Sequence, residues 1–213
     1  MEIPLPLDKL SLPSNSNGDK FYVVLVATGS FNPPTLMHLR MFELARDALN
    51  SNGFCVIGGY MSPVNDAYKK RAKQSSFQRS LTVLNRVTSF LTEGGLIRKE
   101  SLKVMLVCGS DLLQSFSIPG FWIPEQVRAI CKDYGVVCIR REGQDLEKII
   151  SGDEILNENR DYIKIVDELV PNQISSTRLR ECISRGLSIK YLTIDEVIVY
   201  IGKQNLYLKS DDK

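Results

Sequence analysis

Residues 21–38 of the chain read FYVVLVATGSFNPPTLMH. The first seven are apolar and β-rich without interruption, which is typical of a parallel strand buried on both faces. A glycine and two prolines follow, and Met37–Leu49 then place apolar side chains at helical spacing. A buried strand that passes through a short loop into a helix predicts the opening of a βαβ unit.

The remainder of the chain continues this alternation. We predict further strands at 54–60, 103–108, 136–139 and 163–166, and helices at 78–91, 124–134, 177–185 and 193–204, the last opened by a capping box at Thr193–Glu196. The pattern predicts an α/β fold with a Rossmann-like, doubly wound parallel sheet. We expect a flexible N-terminal extension (residues 1–20), a single α/β domain (21–207) and a C-terminal tail (208–213). Ligands of such sheets bind beyond the carboxyl ends of the strands.

Composition narrows the function classes. The 213 residues carry 27 Lys and Arg against 25 Asp and Glu, so the net charge of +2 gives no reason to expect nucleic acid or a membrane as partner. The five cysteines form no C-x-x-C pair, which favours reduced thiols in a cytoplasmic or nuclear protein and disfavours a zinc site. We expect no metal ligands among the site residues. The sequence leaves a homo-oligomer open.

His38 is the only histidine in the chain, and it falls in the first turn of the predicted first helix. A neutral imidazole there, at a helix N-terminus facing the ligand crevice, can donate a hydrogen bond to a phosphate oxygen. The alternative is a packed or capping histidine without a ligand. The loop before His38 has the spacing of neither a Walker loop nor G-x-G-x-x-G, which disfavours those two phosphate sites.

Four segments, in this order, carry a resemblance: GSFNPPTLMHLRMFELA (29–45), SPVNDAYKK (62–70), CGSDLL (108–113) and NQISSTRLR (172–180). They closely resemble the motifs of the nicotinamide mononucleotide adenylyltransferases, members of the nucleotidyltransferase superfamily with its T/H-x-x-H signature, here Thr35 and His38. The resemblance covers about residues 20–207, and the N-terminal extension is most like that of the plant members. It implies an enzyme of NAD biosynthesis that joins ATP to nicotinamide or nicotinate mononucleotide, yielding NAD or its deamido form and pyrophosphate, with Mg²⁺ carried by ATP.

The resemblance also implies roles for single residues. His38, Lys70 and Arg180 are expected to be catalytic. Expected substrate-binding residues are Gly29, Ser30, Phe31, Thr35, Tyr68, Arg71, Gly109, Asp111, Phe121, Trp122, Glu168, Asn172, Ser175, Ser176, Thr177, Arg178 and Leu179. Tyr68 and Trp122 are expected near the pyridine nucleotide.

Physical reasoning supports part of this assignment and leaves alternatives open. Ser175 or Ser176 can cap a helix that begins near Thr177, which would present free N–H groups and two guanidiniums to polyphosphate. The same motif alone would also fit an arginine-bearing surface helix. Residues 69–71 (KKR) could form a solvated turn or a weak nuclear-import patch, and Trp122 could be a core residue.

The sequence departs from the family after Arg71. The family would continue with a helix that bears a His-Arg pair and a strand that ends in Asp-x-Trp-Glu; this chain continues with AKQSSFQR (72–79), which resembles the family's next segment beyond that strand. The missing unit, about one helix and one strand, would be the edge strand of the sheet. We therefore expect the second strand at the edge, an exposed surface beside it and reduced stability. Two alternatives remain: a catalytically impaired isoform that binds nucleotide without efficient turnover, and another nucleotidyltransferase of the superfamily.

Overall fold

The structure, a computed structural model, describes residues 5–11, 21–63 and 77–208, with only the backbone described at 77–79. Its five-stranded sheet is parallel throughout and has the order β2-β1-β3-β4-β5. The strands are β1 (Tyr22–Gly29), β2 (Cys55–Pro63), β3 (Leu102–Gly109), β4 (Val136–Ile139) and β5 (Ile163–Val166). The predicted doubly wound parallel sheet is confirmed, and the strand order reverses between β1 and β3.

Helices cover both faces of the sheet. Those described are α1 (Leu36–Asn50), α2 (Phe77–Glu93), α3 (Ser110–Phe116), α4 (Pro124–Ala129), α5 (Leu146–Ser151), α6 (Glu154–Glu158), α7 (Ser176–Ser184) and α8 (Asp195–Lys203). Successive β1 side chains point to opposite faces. Val23 and Leu25 therefore pack with α1, whereas Val24 and Val26 pack in the core that includes α2.

Three short helices were not predicted. The helices α3, α5 and α6 have seven, six and five residues, too few for an apolar pattern to repeat. The capping box predicted at Thr193–Glu196 is wrong: the N-cap of α8 is Ile194, and the Thr193 hydroxyl donates instead to the Pro34 carbonyl, at 2.7 Å. Gly135 does end the helical stretch before β4, with a φ of 90° that favours glycine.

Within the described residues β2 lies at one end of the sheet, as expected. Residues 5–11, part of the predicted flexible extension, pack against it. The Ser11 N–H donates to the Ile57 carbonyl at 2.8 Å, the Tyr60 hydroxyl donates to the Pro6 carbonyl at 2.8 Å, and Leu10 packs partly buried against the core. The surface beside β2 is therefore partly covered by the N-terminal segment of the same chain.

Close packing of α1 on β2 depends on a glycine. A methyl group added at Gly59 would come within 2.6 Å of the Phe42 ring and 3.1 Å of the Leu25 carbonyl oxygen. A larger residue there therefore requires the Phe42 ring to move and crowds the β1 backbone at Leu25. Gly59 thus sets the separation between the strand and the helix that carries His38.

We expect Gly59→Ala to lower the free energy of unfolding by about 1–3 kcal/mol, because overpacking forces neighbouring groups apart. Gly202→Ala is the matched control: its added methyl would meet nothing within 4 Å, and a helical alanine in place of glycine should stabilise by about 0.5–1 kcal/mol. Urea denaturation measures both. An unchanged midpoint for Gly59→Ala would show that the contact relaxes without cost.

Candidate active site

Two adjoining cavities lie at the carboxyl ends of the strands. The first, about 270 Å³, opens between the loops that follow β1 and β3, where the strand order reverses. It is lined by seven of the predicted site residues: Gly29, Ser30, Phe31, His38, Gly109, Asp111 and Ser176. The second, about 400 Å³, extends toward β5 and α7 and adds Glu168, Asn172, Ser175 and Arg178. Met37, Asp111, Arg141 and Ile174 line both cavities.

The ring of His38 is fixed by its own helix start. The Thr35 N–H donates to His38 Nδ1 at 2.9 Å, and the Thr35 hydroxyl lies 3.0 Å from the same nitrogen. Because Nδ1 accepts a hydrogen bond, the proton of the neutral imidazole is on Nε2. Phe31 packs edge-to-face on the ring with the centroids 5.0 Å apart. His38 is therefore oriented from two sides, with one N–H left to donate.

The surroundings of His38 also keep it neutral. Burial lowers the pKa of the imidazole below its ordinary 6.5, and the nearby Arg141 guanidinium lowers it further. Both effects penalise the charged form. At neutral pH the histidine is thus a hydrogen-bond donor without a net charge, as the sequence predicted.

Arg141 is a site residue that the sequence analysis missed. Its Nη1 forms an ion pair with Asp111 at 2.7 Å, and its Nε would lie 3.5 Å from a methyl added at Gly109. The Arg141 N–H donates to the fully buried Ser110 hydroxyl at 2.9 Å, which ties the loop after β4 to the start of α3. The signal was available, because Arg141 follows a predicted strand at its carboxyl end.

Glu168 and Asn172 form a polar cluster behind the second cavity. The Glu168 side chain, 8% exposed, accepts from Arg40 Nε at 3.2 Å and from Asn172 Nδ2 at 3.1 Å. Asn172 also lies 3.2 Å from the Met37 sulfur. Both carboxylate oxygens of Glu168 are thereby engaged, and the cluster connects α1 to the loop after β5.

The N-terminus of α7 meets the loop after β1. Ser175 is the N-cap and accepts from the Arg178 N–H at 3.3 Å, so the predicted cap is confirmed. The Ser176 hydroxyl donates to the Pro33 carbonyl at 2.8 Å. Arg180 donates from Nη1 to the Asn32 carbonyl at 2.6 Å and from Nη2 to the Thr177 hydroxyl at 3.2 Å.

Other predicted site residues lie elsewhere. Leu179 is fully buried in a small core between α7 and α8, so only its backbone can face a ligand. Trp122 packs edge-to-face on Phe116 with the centroids 4.7 Å apart, its Nε1–H donates to Ser115, and it lines neither cavity. Phe121, 48% exposed, also lines neither. Tyr68, Lys70 and Arg71 lie outside the described residues.

The described residues contain neither a cluster of metal-binding side chains nor a helix that could span a membrane. Within residues 5–11, 21–63 and 77–208, no group of three or more His, Cys, Asp or Glu side chains could hold a metal ion. No helix in this described part is both long and apolar enough to cross a bilayer.

Comparison with known proteins relates the chain to one group. Residues 26–182 match the model of the cytidylyltransferase-like family. A nicotinamide/nicotinic acid mononucleotide adenylyltransferase of Arabidopsis thaliana is 63% identical over 235 aligned residues, covering 97% of this chain and 98% of that protein. The protein of the same name from Oryza sativa subsp. japonica is 57% identical over 240, covering 99% and 96%. A solved structure, the Plasmodium falciparum nicotinic acid mononucleotide adenylyltransferase complexed with APC, is 16% identical with a TM-score of 0.48, covering 87% of this chain and 96% of that one.

The lowered pKa of His38 makes stability depend on pH. In the unfolded chain the imidazole titrates near 6.5, so the stability contributed by the neutral ring is complete above that pH. It is lost as the pH falls from 6.5 through the lowered pKa, because the unfolded state then binds more protons. Wild type should therefore lose more stability between pH 7.5 and 5.5 than His38→Gln, measured by urea denaturation. Parallel pH profiles for the two proteins would contradict this.

Proposed function

This chain belongs to the nicotinamide/nicotinic acid mononucleotide adenylyltransferases, and we propose that it transfers AMP from ATP to nicotinamide or nicotinic acid mononucleotide. The products are NAD or its deamido form and pyrophosphate. The observation that carries the proposal is the position of His38 in the first cavity. Its imidazole is neutral and fixed in orientation, and its Nε2–H is available at the crevice between β1 and β3. ATP enters as its magnesium complex, so the metal ion is part of the substrate.

The chemistry is an in-line displacement at the α-phosphorus of ATP. A phosphate oxygen of the mononucleotide forms the new bond to that phosphorus, and the bond between the α-phosphorus and the oxygen bridging to the β-phosphorus breaks. The electron pair of the broken bond leaves on pyrophosphate. No covalent intermediate with the protein is needed, so catalysis consists of positioning and of stabilising charge on the phosphoryl oxygens.

The described residues suit that task. His38 donates from Nε2 to a phosphate oxygen while Thr35 and Phe31 hold its ring. The α7 N-terminus adds amide N–H groups, and Arg178 at the edge of the second cavity adds a guanidinium. Arg180 lines neither cavity, but its guanidinium lies beside them, bound to the Asn32 carbonyl and the Thr177 hydroxyl. Together they place donors and positive charge around a polyphosphate.

The two cavities divide the substrates. Gly29, Ser30 and Gly109 let backbone approach the nucleotides, and Asp111 accepts from ribose hydroxyls. Arg141 holds Asp111 and extends positive charge between the cavities. Glu168 and Asn172 form the wall of the second cavity, where a nucleoside binds.

Further roles rest on the family resemblance alone. They are a phosphate contact for Lys70, with Arg71 beside it, contacts of Tyr68 and Trp122 with the pyridine nucleotide, and a substrate contact for Phe121. A cytoplasmic or nuclear location and a homo-oligomer likewise remain predictions.

The length of the alignment to a relative supports the absence of a helix-and-strand unit from this chain. The alignment to the Arabidopsis thaliana protein spans 235 positions, whereas this chain has 213 residues. At least 22 aligned positions, the difference between those lengths, therefore have no residue in this chain. The family resemblance places the missing unit after Arg71 and includes in it a tryptophan that stacks on the nicotinamide, so weakened mononucleotide binding is its expected consequence.

We expect His38→Ala to lower turnover by about 10²–10³-fold, since a lost donor to a developing charge costs this much in comparable sites. The assay couples dinucleotide formation from MgATP and nicotinamide mononucleotide to a dehydrogenase. Leu39→Ala is the matched control, because Leu39 is the next residue of α1 and is 48% exposed.

The outcomes separate the alternatives. Turnover near the wild-type level in His38→Ala would remove His38 from the mechanism. If folded wild-type protein binds MgATP by calorimetry, but neither binds mononucleotide nor turns over, then the impaired isoform is correct and the proposed activity is not.

A further inference from the structure

The loop after β1 is held by the last quarter of the described chain. Its backbone carbonyls at Asn32, Pro33 and Pro34 accept, respectively, from Arg180 at 2.6 Å, Ser176 at 2.8 Å and Thr193 at 2.7 Å. The Leu36 N–H donates to the Leu192 carbonyl at 3.0 Å. Because proline has no N–H, this loop cannot be held by a regular backbone ladder. Side chains 143–159 residues away replace it.

A further contact reaches the same loop from beyond α8. The Tyr207 hydroxyl donates to the Asn32 side-chain oxygen. Asn32 thus accepts two hydrogen bonds, one from Tyr207 on its side-chain oxygen and one from Arg180 on its backbone carbonyl. Neither the sequence motifs nor the family resemblance pointed to Tyr207.

The backbone at Tyr207 is in an unfavourable conformation. Asn205 and Tyr207 have φ values of 49° and 64°, the left-handed region that non-glycine residues rarely adopt. Such conformations persist where the surrounding structure enforces them. Here Leu206 and Tyr207 pack against the small core of α7 and α8, which turns the chain back toward the loop.

The charge environment is consistent with this geometry. Burial raises the pKa of Tyr207, and the nearby Arg180 opposes that rise. The hydroxyl therefore keeps its proton at neutral pH and remains a donor to Asn32. Arg180, a proposed phosphate ligand, therefore lies close enough to Tyr207 for its positive charge to lower the pKa of the tyrosine hydroxyl.

We propose that Tyr207 is a positioning residue for ATP: by holding Asn32, it fixes the carbonyl to which Arg180 binds and so holds the Arg180 guanidinium beside the N-terminus of α7, next to the proposed phosphate site. This rests on the proposed function for the identity of the ligand. Tyr207 does not itself touch the substrate. Its effect reaches ATP through Asn32 and Arg180.

The test is Tyr207→Phe in the full chain, which removes one oxygen and keeps the ring in its small core. A hydrogen bond of this kind contributes enough that we expect the Kd and KM for MgATP to rise about three- to tenfold. The KM for the mononucleotide should stay within error of wild type, and the thermal midpoint should fall by no more than about 2–4 °C, the cost of one hydrogen bond. Tyr162→Phe is the matched control, because Tyr162 directly precedes β5, at the amino end of the strand and away from both cavities, and is 40% exposed.

A double-mutant cycle with Asn32→Ala shows whether the effect passes through Asn32. In the Asn32→Ala background, Tyr207→Phe should cause no further loss of MgATP affinity. Full additivity would overturn the proposal. So would an unchanged Kd in the single variant, or an equal loss of affinity for MgATP and for the mononucleotide.

Calorimetry separates this proposal from the proposed function. Wild type that binds MgATP without turnover, with a weaker Kd in Tyr207→Phe, would sink the activity and support the positioning role. If wild type turns over and Tyr207→Phe binds MgATP with the same affinity as wild type, the proposed activity is supported and the positioning role is overturned. Wild type that does not bind MgATP would overturn both.

Discussion

Parallel pairing of β1 with β3 is the interaction on which the site depends. It joins strands between which the described chain forms α1, β2 and α2, and it brings the glycine loops at their carboxyl ends side by side. The groups that face the first cavity are placed relative to that pair: His38 through α1, Arg141 through the neighbouring β4, and the α7 N-terminus through the loop after β5. Alternating apolar side chains of β1 anchor helices on both faces, so the pair cannot shift without disturbing both cores.

Charge at the site is divided between paired arginines and a neutral histidine. Arg141 is balanced by Asp111, and Arg40 by Glu168, whereas His38 is kept neutral by burial and by the nearby Arg141. A neutral donor can approach a triphosphate without first shedding a tightly held water shell. In the proposed mechanism Arg178 and Arg180 supply the attraction, and the imidazole of His38 supplies direction.

Local signals made much of this predictable. The approximate strand bounds, the Ser175 cap and the position of His38 at a helix start all follow from short-range patterns in the sequence. Thr193 shows where such reasoning ends: its hydroxyl was assigned to its own helix, but it donates to Pro34, 159 residues away. Tyr207 carries no motif at all. The packing of residues 5–11 on β2 could not be foreseen either, because a turn-rich extension gives no periodicity to interpret.

The bond between Asn32 and Tyr207 has a consequence for how the protein is made. These residues are 175 positions apart, so at 5–20 residues per second the loop waits about 9–35 s on the ribosome before its last partner is synthesised. The early βαβ unit can fold meanwhile, but its proline loop lacks the donors that hold its carbonyls. On the ribosome the first βαβ unit is therefore complete well before the side chains that hold the loop after β1 have been synthesised.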